Sequence, residues 1–172
     1  MQRKEFLKKS FGAETPKFAI SRFIPENGIG LYNVADQREL EGVVAKRSDS
    51  LYFMGKRSKD WIKFKRMADE EYIVTGYITK GRNIYSLVLG RYRNGRLIYK
   101  GHLTSGVTAG VIKTLVPTSL NPFSILPKGN ENVIWVVPQV CTMEYMPNTK
   151  KAMRQPVFKG MRLDIYPEEV EE

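Results

Sequence analysis

EGVVAKRSDSLYFMGKRSKDWIKFK, residues 41–65, contains two short apolar runs separated by a basic loop. The paired valines of EGVVAKR favour a β-strand, and Glu41 lies where that strand begins. In DWIKFK the two-residue period of a second strand puts Trp61, Lys63 and Lys65 on one face. The segment therefore predicts two strands that carry a carboxylate and a pair of lysines.

The second strand also has an apolar face, and a long loop joins it to the first. Ile62 and Phe64 alternate with the lysines, so we expect them to point into a core. The connection, SDSLYFMGKRSKD, is long for a hairpin and carries Lys56, Arg57 and Lys59. Loops of that length inside compact domains are usually functional or disordered. A binding loop and a mobile, solvated loop both account for this pattern.

Two interpretations of the paired lysines stay open at this point. An amphipathic strand with a solvated lysine side accounts for a bare K-x-K pattern between apolar residues. A carboxylate and several ammonium groups on one surface also match what a metal-bound nucleotide phosphate needs. The basic loop between the two strands favours the second interpretation.

The positive charge of the chain is concentrated around this segment. The 172 residues carry 28 lysines and arginines against 18 aspartates and glutamates, a formal net charge of +10, and the pI is 9.7. Residues 1–66 hold 15 basic and 8 acidic residues, a surplus of 7, whereas residues 67–172 hold 13 and 10, a surplus of 3. Such a balance suits nucleic acid, because phosphate neutralisation releases counterions. Charge alone does not separate DNA from RNA or from an anionic membrane.

Several classes of protein and site do not fit the composition. The sequence has no run of about eighteen apolar residues, which a membrane-spanning helix needs, and residues 2–11 lack the apolar core of a signal peptide. Cys141 is the only cysteine, which excludes an internal disulfide and a cysteine-based metal site. His102 is the only histidine, so a histidine-centred metal cluster is excluded too. We expect no membrane contact and a soluble, cytoplasmic, nucleoid-associated protein.

The first third of the chain predicts a mixture of helices and strands. Residues 3–9 read as a short basic helix, and residues 17–23 as a strand. Asn27 can cap a helix that runs to Leu40, because an asparagine side chain accepts a free N–H of the first turn. That helix delivers the chain to Glu41.

The rest of the chain predicts short strands separated by turns. Asn94-Gly95 marks a tight hairpin, since both residues tolerate positive φ angles. A short helix is predicted at 108–115 and a loop at 117–129. The predicted strands are 72–79, 85–92, 97–103, 133–137 and 140–145. Five strands and one helix match an OB barrel, although another small barrel fits the pattern nearly as well.

Three segments of the chain resemble motifs of the ATP-dependent DNA ligases. EGVVAKR and DWIKFK resemble the family's fourth and fifth nucleotidyltransferase motifs, in wording closest to the bacterial end-joining ligases. RQPVFKGMRLD, residues 154–164, followed by PEEV, resembles the sixth motif, R-x-P-x-F…R-x-D-K followed by P-E. Three ordered motifs across most of the chain make this a specific resemblance.

The resemblance implies an α+β, mostly β chain with two domains. Residues 1–66 would be the C-terminal part of an adenylation domain, and residues 67–172 an OB-fold domain. The family's covalent nucleophile is the lysine of a K-x-D-G motif, and these residues contain no K-x-D-G. We therefore expect a C-terminal part of a ligase that does not adenylate itself, whether an isolated fragment, a degenerate gene product or one half of a split enzyme.

The resemblance also implies roles for the residues of the first two motifs. Ligases of this family attach AMP to their lysine, pass it to the 5′-phosphate of a nick, and let the 3′-hydroxyl attack that phosphate with AMP leaving. Glu41 would bind the catalytic metal, Mg²⁺, and Lys63 and Lys65 would contact the α-phosphate of ATP and then of AMP. DNA phosphates would be bound by the basic residues on and beside the loop, Arg47, Lys56, Arg57 and Lys59.

The last motif implies a further set of phosphate contacts. Arg154 and Arg162 would reach the pyrophosphate portion of ATP, with Asp164 orienting them. Where the family usually has a lysine after that aspartate, this chain has Ile165, so one phosphate contact of the first step would be missing. A terminal strand that packs Phe158 is the alternative account of this segment.

The implied function is ATP-dependent joining of nicked or broken duplex DNA in repair and recombination. ATP would donate AMP, and a separate chain carrying the N-terminal adenylation half would be a partner. Two alternatives stay open, namely a non-catalytic OB-fold DNA-binding module and a fragment of an RNA ligase or capping-type nucleotidyltransferase. A half-domain without its partner exposes apolar surface and strand edges, so we also expect self-association.

Overall fold

The computed structural model describes residues 2–11, 14–129, 132–147 and 153–172. The chain forms two compact units, Met1–Arg66 and Met67–Glu172. Within the described ranges, no helix is long and apolar enough to cross a membrane.

The first unit contains two helices and a two-stranded antiparallel sheet. The elements are α1 (Gln2–Ser10), α2 (Gly28–Gln37), β1 (Gly42–Lys46) and β2 (Trp61–Lys65). As predicted, Asn27 caps α2, because its side-chain oxygen accepts the N–H of Gly30 at 3.0 Å. The helix ends three residues before the predicted Leu40, since Glu39 adopts a left-handed φ of 54°.

The predicted strand at residues 17–23 is wrong. This part of the chain makes a turn, in which Thr15 and Phe18 exchange backbone hydrogen bonds of 2.8 and 3.0 Å. A strand needs a neighbour to pair its backbone groups, and among the described residues this stretch has only the Thr15–Phe18 bridge. Its apolar residues favour a strand, but composition alone does not supply a partner strand.

The register of β1 and β2 depends on Gly42. The pairs run from Gly42 with Lys65 to Lys46 with Trp61, and the N–H of Arg66 extends them by donating to the carbonyl of Glu41 at 3.0 Å. Gly42 has a φ of 132°, and a Cβ at this position would lie 2.1 Å from the carbonyl oxygen of Phe64. No side chain fits there, so only glycine lets the two strands approach this closely.

The apolar face of β2 does not enter a core, contrary to the sequence prediction. Ile62 is 52% exposed and Phe64 49% exposed, and Ala35 is the one buried residue in the described part of the first unit. A two-stranded sheet has one layer, so it buries an apolar face only when another layer covers it. The described part of the first unit supplies no such layer.

The second unit is a five-stranded antiparallel sheet in the order β5-β4-β3-β6-β7. Its elements are β3 (Ala68–Thr79), β4 (Tyr85–Arg93), β5 (Arg96–Leu103), α3 (Ala109–Thr114), β6 (Ile134–Met146), β7 (Arg154–Arg162) and a 3₁₀ turn (Pro167–Glu169). The predicted hairpin at Asn94-Gly95 is confirmed, with φ of 51° and 70°. So is the short helix, whose N-cap is Thr108.

Two strands were predicted where the structure has one, and the fifth strand lies elsewhere. Residues 133–137 and 140–145 both belong to β6, which runs through Pro138. The register of its pairing with β3 shifts between the Gly76–Trp135 and Val74–Gln139 pairs. Pro138, which has no N–H to donate, lies in this irregular stretch, so no regular ladder hydrogen bond is lost. The fifth strand of the sheet is β7, which carries the RQPVF motif.

The sheet closes on itself after β5. Ser105 forms a parallel bridge with Val157 of β7, and its carbonyl accepts the N–H of Phe158 at 2.9 Å. α3 then fills the connection between β5 and β6, and Leu115 behind it is buried. A closed five-stranded barrel with a helix between its third and fourth strands is an OB fold, so the predicted OB barrel is confirmed.

The second unit has its own core. Fully buried side chains from four strands fill the barrel, among them Val74, Leu87, Leu89, Leu103, Val136 and Met143. On the outer side, Ile73, Val140 and Val170 form a smaller cluster against which Ile165 packs. Cys141 lies in the core, and burial raises the pKa of its thiol to about 12, which keeps it protonated and inert.

The partly buried carboxylate of Glu70 links three strands of the barrel, β3, β4 and β6. Glu70 of β3 accepts hydrogen bonds from the hydroxyls of Tyr72 and Tyr145, both at 2.9 Å, and from the guanidinium of Arg91. Partial burial disfavours the charged form of Glu70, but these donors outweigh it and lower the pKa of the carboxyl. Burial and the Glu70 carboxylate raise the pKa of Tyr72 above its ordinary value.

Replacing Gly42 tests the close approach of β1 and β2. We expect Gly42→Ala to separate the two strands, because the new methyl group overlaps the Phe64 carbonyl. Gly55→Ala is the matched control, since Gly55 also has a positive φ, 70°, but no atom within 4 Å of an added Cβ. Amide hydrogen exchange of residues 43–46 should accelerate in the first variant and not in the second. Equal protection in both variants would show that steric overlap does not set the register.

Replacing Glu70 tests the hydrogen-bond network of the barrel. We expect Glu70→Gln to lower the free energy of unfolding at pH 7 by about 1.5–3 kcal/mol, the usual effect of losing hydrogen bonds to a charged group. Because folding lowers the pKa of Glu70, its contribution is full above an unfolded pKa of about 4.3 and is lost as the pH falls through the folded value. Urea unfolding should therefore show a gap between wild type and variant that narrows below about pH 4. Glu168→Gln, an exposed carboxylate, is the control, and a gap independent of pH would contradict the assignment.

Candidate phosphate-binding site

Three predicted site residues lie at one end of the β1–β2 pair. Lys65 is opposite Gly42, Lys63 is opposite Val44, and Glu41 lies one position beyond the Gly42–Lys65 pair. All three charged side chains are exposed. The positive φ of Gly42 interrupts the alternation of faces, so the direction of the Glu41 side chain is not fixed by the faces of β1. The structure thus brings the backbones of Glu41, Lys63 and Lys65 together.

Arg66 anchors this end of the strand pair, and the sequence pattern did not single it out. Its guanidinium binds the carboxylates of Asp36 at 3.0 Å and Glu39 at 3.8 Å, near the end of α2. Its backbone N–H donates to the carbonyl of Glu41. Arg66 therefore connects the helix to the residue predicted to bind metal. The available signal was a basic residue directly after the K-x-K pair, downstream of an acidic helix end.

Among the described residues, Arg47, unlike the other predicted DNA-binding residues, is bound to carboxylates of the protein. Its guanidinium makes two hydrogen bonds to Asp49, of 2.8 and 3.2 Å, and one of 3.4 Å to Asp60. The hydrogen bond from Arg47 lowers the pKa of the Asp49 carboxyl, and Asp49 in turn raises the pKa of Arg47. Its backbone N–H also donates to the carbonyl of Asp60 at 3.0 Å. Arg47 thus closes the base of the loop, and its one positive charge offsets part of the negative charge of the loop's two carboxylates.

The loop cations themselves are exposed. Lys56, Arg57 and Lys59 follow a turn at Gly55, and no ion pair is recorded for any of them within the described residues. Asp60, which ends the loop, is held by the hydroxyl of Ser58 at 2.7 Å. The three cations are therefore available to an anionic ligand.

The residues of the last motif lie at opposite ends of β7. Asp164 receives a double hydrogen bond from Arg162, of 2.8 and 2.7 Å, while the third nitrogen of Arg162 binds Glu71 at 3.0 Å. The hydrogen bonds from Arg162 lower the pKa of Asp164 to about 2. Arg154 pairs with Met146 and Arg162 with Val140, and these six steps along β6 at about 3.3 Å each put the two arginine backbones about 20 Å apart. The structure brings Asp164 to Arg162 and leaves Arg154 distant from both.

A basic cluster that the sequence did not reveal lies at the hairpin of β4 and β5. Arg91, Arg93 and Lys100 converge on residues 170–172, where the carbonyl of Glu171 accepts a hydrogen bond of 2.6 Å from Arg91. The Glu172 carboxylate pairs with Arg93 and with Lys100. These cations hold the segment around buried Val170 against the barrel, so they contribute to the fold in this state.

The described residues limit how a metal ion could bind. They contain no group of three or more histidine, cysteine, aspartate or glutamate side chains arranged to hold one. Glu41 would therefore act as a single carboxylate ligand, which suits Mg²⁺ carried by substrate phosphates better than a metal in a protein cage. Exposed ammonium groups beside one carboxylate can bind and orient a phosphoanion.

Comparison with known proteins places these residues in a family. A sequence profile described as "ATP dependent DNA ligase domain" matches residues 1–65, and one described as "ATP dependent DNA ligase C terminal region" matches residues 80–165. The multifunctional non-homologous end joining protein LigD of Pseudomonas aeruginosa is 35% identical over an alignment that covers 92% of this chain. The alignment covers 21% of that relative, so the chain spans about a fifth of its length.

Solved structures agree with the sequence matches. The ligase domain of LigD from Mycobacterium tuberculosis is similar with a TM-score of 0.57 and 26% identity, over 99% of this chain and 59% of that one. A mycobacterial DNA ligase D complexed with ATP and MES has a TM-score of 0.53 and 26% identity, over 98% and 57% of the two chains. With the motifs and the OB barrel in place, these matches confirm the resemblance, and the chain belongs to the ATP-dependent DNA ligase family.

Proposed function

We propose that this chain is a C-terminal part of an ATP-dependent ligase that joins nicked or broken duplex DNA in end joining. The observation that carries the proposal is the adjacency of the Glu41, Lys63 and Lys65 backbones in the β1–β2 pair. The relative named for non-homologous end joining supports DNA ends as a substrate, and the ATP complex of a mycobacterial relative supports ATP as the other. We propose the division at Arg66, with an adenylation-domain part before it and the OB domain after it.

The two lysines of β2 would orient the nucleotide. Lys63 and Lys65 share one face of the strand, so both ammonium groups can reach the same α-phosphate, first in ATP and then in AMP. Both side chains are exposed, so phosphate oxygens can reach them from solvent. Glu41 would hold Mg²⁺ together with substrate phosphates, and a bound divalent cation neutralises charge on the transferring phosphoryl group.

The last motif would act on the pyrophosphate portion of ATP. Arg162 is held by Asp164 and Glu71, and the three bonds described leave guanidinium N–H donors for a phosphate oxygen. Because the pKa of Asp164 is about 2, the carboxylate stays ionised and keeps Arg162 oriented across the physiological pH range. Arg154 would need a different part of the substrate or a different arrangement of β7, given its distance from Arg162.

DNA phosphates would be bound mainly by the exposed loop cations. Lys56, Arg57 and Lys59 have their charges available, whereas most of the charge of Arg47 is neutralised by Asp49 and Asp60. We therefore propose that Arg47 shapes the loop that contacts DNA. The concentration of positive charge in residues 1–66 supports this position of the DNA contact.

The nucleophilic lysine would not come from these 172 residues. They contain no K-x-D-G, so we propose that an upstream adenylation segment, in the same polypeptide or in a partner chain, supplies that lysine. The exposed apolar residues of the described first unit, such as Phe64 and Ile62, support contact with such a segment as well as self-association.

Replacing Lys63 tests the proposed phosphate contact. The chain is mixed with an upstream adenylation fragment of a related ligase, labelled ATP, Mg²⁺ and nicked duplex DNA, and joining is measured. We expect Lys63→Ala to slow joining roughly tenfold to a hundredfold, the kinetic equivalent of losing one hydrogen bond to a charged group. Lys113→Ala, an exposed lysine at the end of α3, is the control and should join like wild type.

Two arms of this experiment separate the possible failures. The chain alone with labelled ATP should give no covalent AMP adduct, and a stable adduct would contradict the need for a partner lysine. If Lys63→Ala joins DNA as well as wild type in the mixture, the assignment of the β2 lysines is wrong.

Replacing Ile165 tests why this chain departs from the family's lysine. Ile165 packs against Ile73, Val140 and Val170, so we expect Ile165→Lys to lower the free energy of unfolding by about 1 kcal/mol through lost apolar burial. Leu163→Lys is the control, because Leu163 is 90% exposed and should tolerate the change. Thermal unfolding of the two variants measures the difference. If Ile165→Lys and Leu163→Lys are equally stable, the packing of Ile165 does not explain why this chain lacks the family's lysine.

A further inference from the structure

A row of cations and aromatic rings lies at the loop end of the β1–β2 pair, away from Glu41. Lys46 lies over the ring of Trp61, with its Nζ 4.0 Å from the ring centroid. The centroids of Trp61 and Tyr52 are 6.2 Å apart, and the guanidinium of Arg3 lies 5.8 Å from the centroid of Tyr52. The order of the row is Lys46, Trp61, Tyr52, Arg3, which we call the aromatic row.

The two rings of the aromatic row are not core residues. Tyr52 is 59% exposed and Trp61 41% exposed. Their planes are tilted by 41°, so the rings are not stacked on each other and both keep apolar surface toward solvent. Tyr52 lies in the loop, where no strand pairing requires an aromatic residue. Packing among the described residues therefore does not account for the two rings.

The electrostatic surroundings of the aromatic row favour an anionic ligand. The same loop carries the exposed cations Lys56, Arg57 and Lys59. The acidic side chains of the loop, Asp49 and Asp60, are both bound by Arg47, so these three groups keep about one unit of negative charge, which the three loop cations outweigh. Exposed rings interleaved with cations are what single-stranded nucleic acid requires, because bases stack on the rings while phosphates bind the cations.

We propose that the aromatic row binds unpaired bases of a single-stranded extension at a DNA end. Tyr52 and Trp61 would each stack with a base, and Arg3 and Lys46 would move from the rings to the flanking phosphates. Lys46 covers one face of Trp61 in the free protein, so a base would replace a flexible ammonium group rather than a packed side chain. The inference rests on the proposed function in one respect, which is that the chain meets broken DNA ends.

The test compares a blunt duplex with the same duplex carrying a single-stranded extension of about four thymidines, a length that such sites accommodate. We expect the extension to increase the affinity of wild type about tenfold, and Trp61→Ala or Tyr52→Ala to remove most of that gain. Affinity for the blunt duplex should stay the same in both variants. Trp61→Phe should retain the gain, because phenylalanine keeps a stacking surface.

A control variant and a spectroscopic signal guard against misfolding as the cause. Ile62→Ala alters an exposed apolar residue on the opposite face of β2 and should keep the full gain. The chain has two tryptophans, so Trp135→Phe leaves Trp61 as the single reporter, and its fluorescence should be quenched by the extended duplex and not by the blunt one. Tyr52→Ala lies outside the strands and tests the row without altering β2.

The outcomes separate the inference from the proposed function. If wild type binds both duplexes with equal affinity, the aromatic row does not bind unpaired bases. The same conclusion follows if Trp61→Ala lowers the affinity for both duplexes to the same extent. Wild type that binds neither duplex, even at about 50 mM salt, would overturn DNA binding itself and with it the proposed function.

Discussion

The approach of the Gly42 backbone to the Phe64 carbonyl is the constraint on which the candidate site depends. It sets the pairing of Gly42 with Lys65, and that pairing fixes which residues meet at the open end of β1 and β2. Shifting the register of β2 by one residue would turn its lysines to the face that now holds Ile62 and Phe64. Arg66 then secures the arrangement by binding the end of α2 and the Glu41 carbonyl. A glycine after the glutamate is thus a steric requirement of the site.

Internal pairing decides which of the many cations can act on a ligand. Arg47 and Arg66 are held by carboxylates, so Arg47 shapes the loop and Arg66 anchors the end of the β1–β2 pair. Arg91, Arg93 and Lys100 hold residues 170–172 against the barrel in the same way. The exposed loop cations and Lys63 stand apart from these networks. The net charge of +10 therefore overstates the charge that is positioned for phosphate.

The two units differ in how they bury apolar surface. The OB barrel encloses a core from four of its strands and closes through Ser105 and Phe158, so it has what a stable small domain needs. The described first unit buries Ala35 and leaves both apolar residues of β2 about half exposed. That contrast supports the proposal that the first unit completes its fold against another polypeptide segment.

The sequence by itself determined the local elements and the family. Asn27, Asn94-Gly95 and Thr108 act within a few residues of chain, so their cap and turn chemistry could be predicted without a fold. The three motifs are also short contiguous stretches, so they indicated the family without knowledge of the fold. Tertiary structure alone decided what depends on distant partners. It joined two predicted strands into β6, left the 17–23 segment without a partner strand among the described residues, and exposed Ile62 and Phe64. It also paired Arg47 with Asp49 and Asp60 and packed the partly buried Ile165 beside Val170, because charge pairing and packing depend on which residues the fold brings into contact.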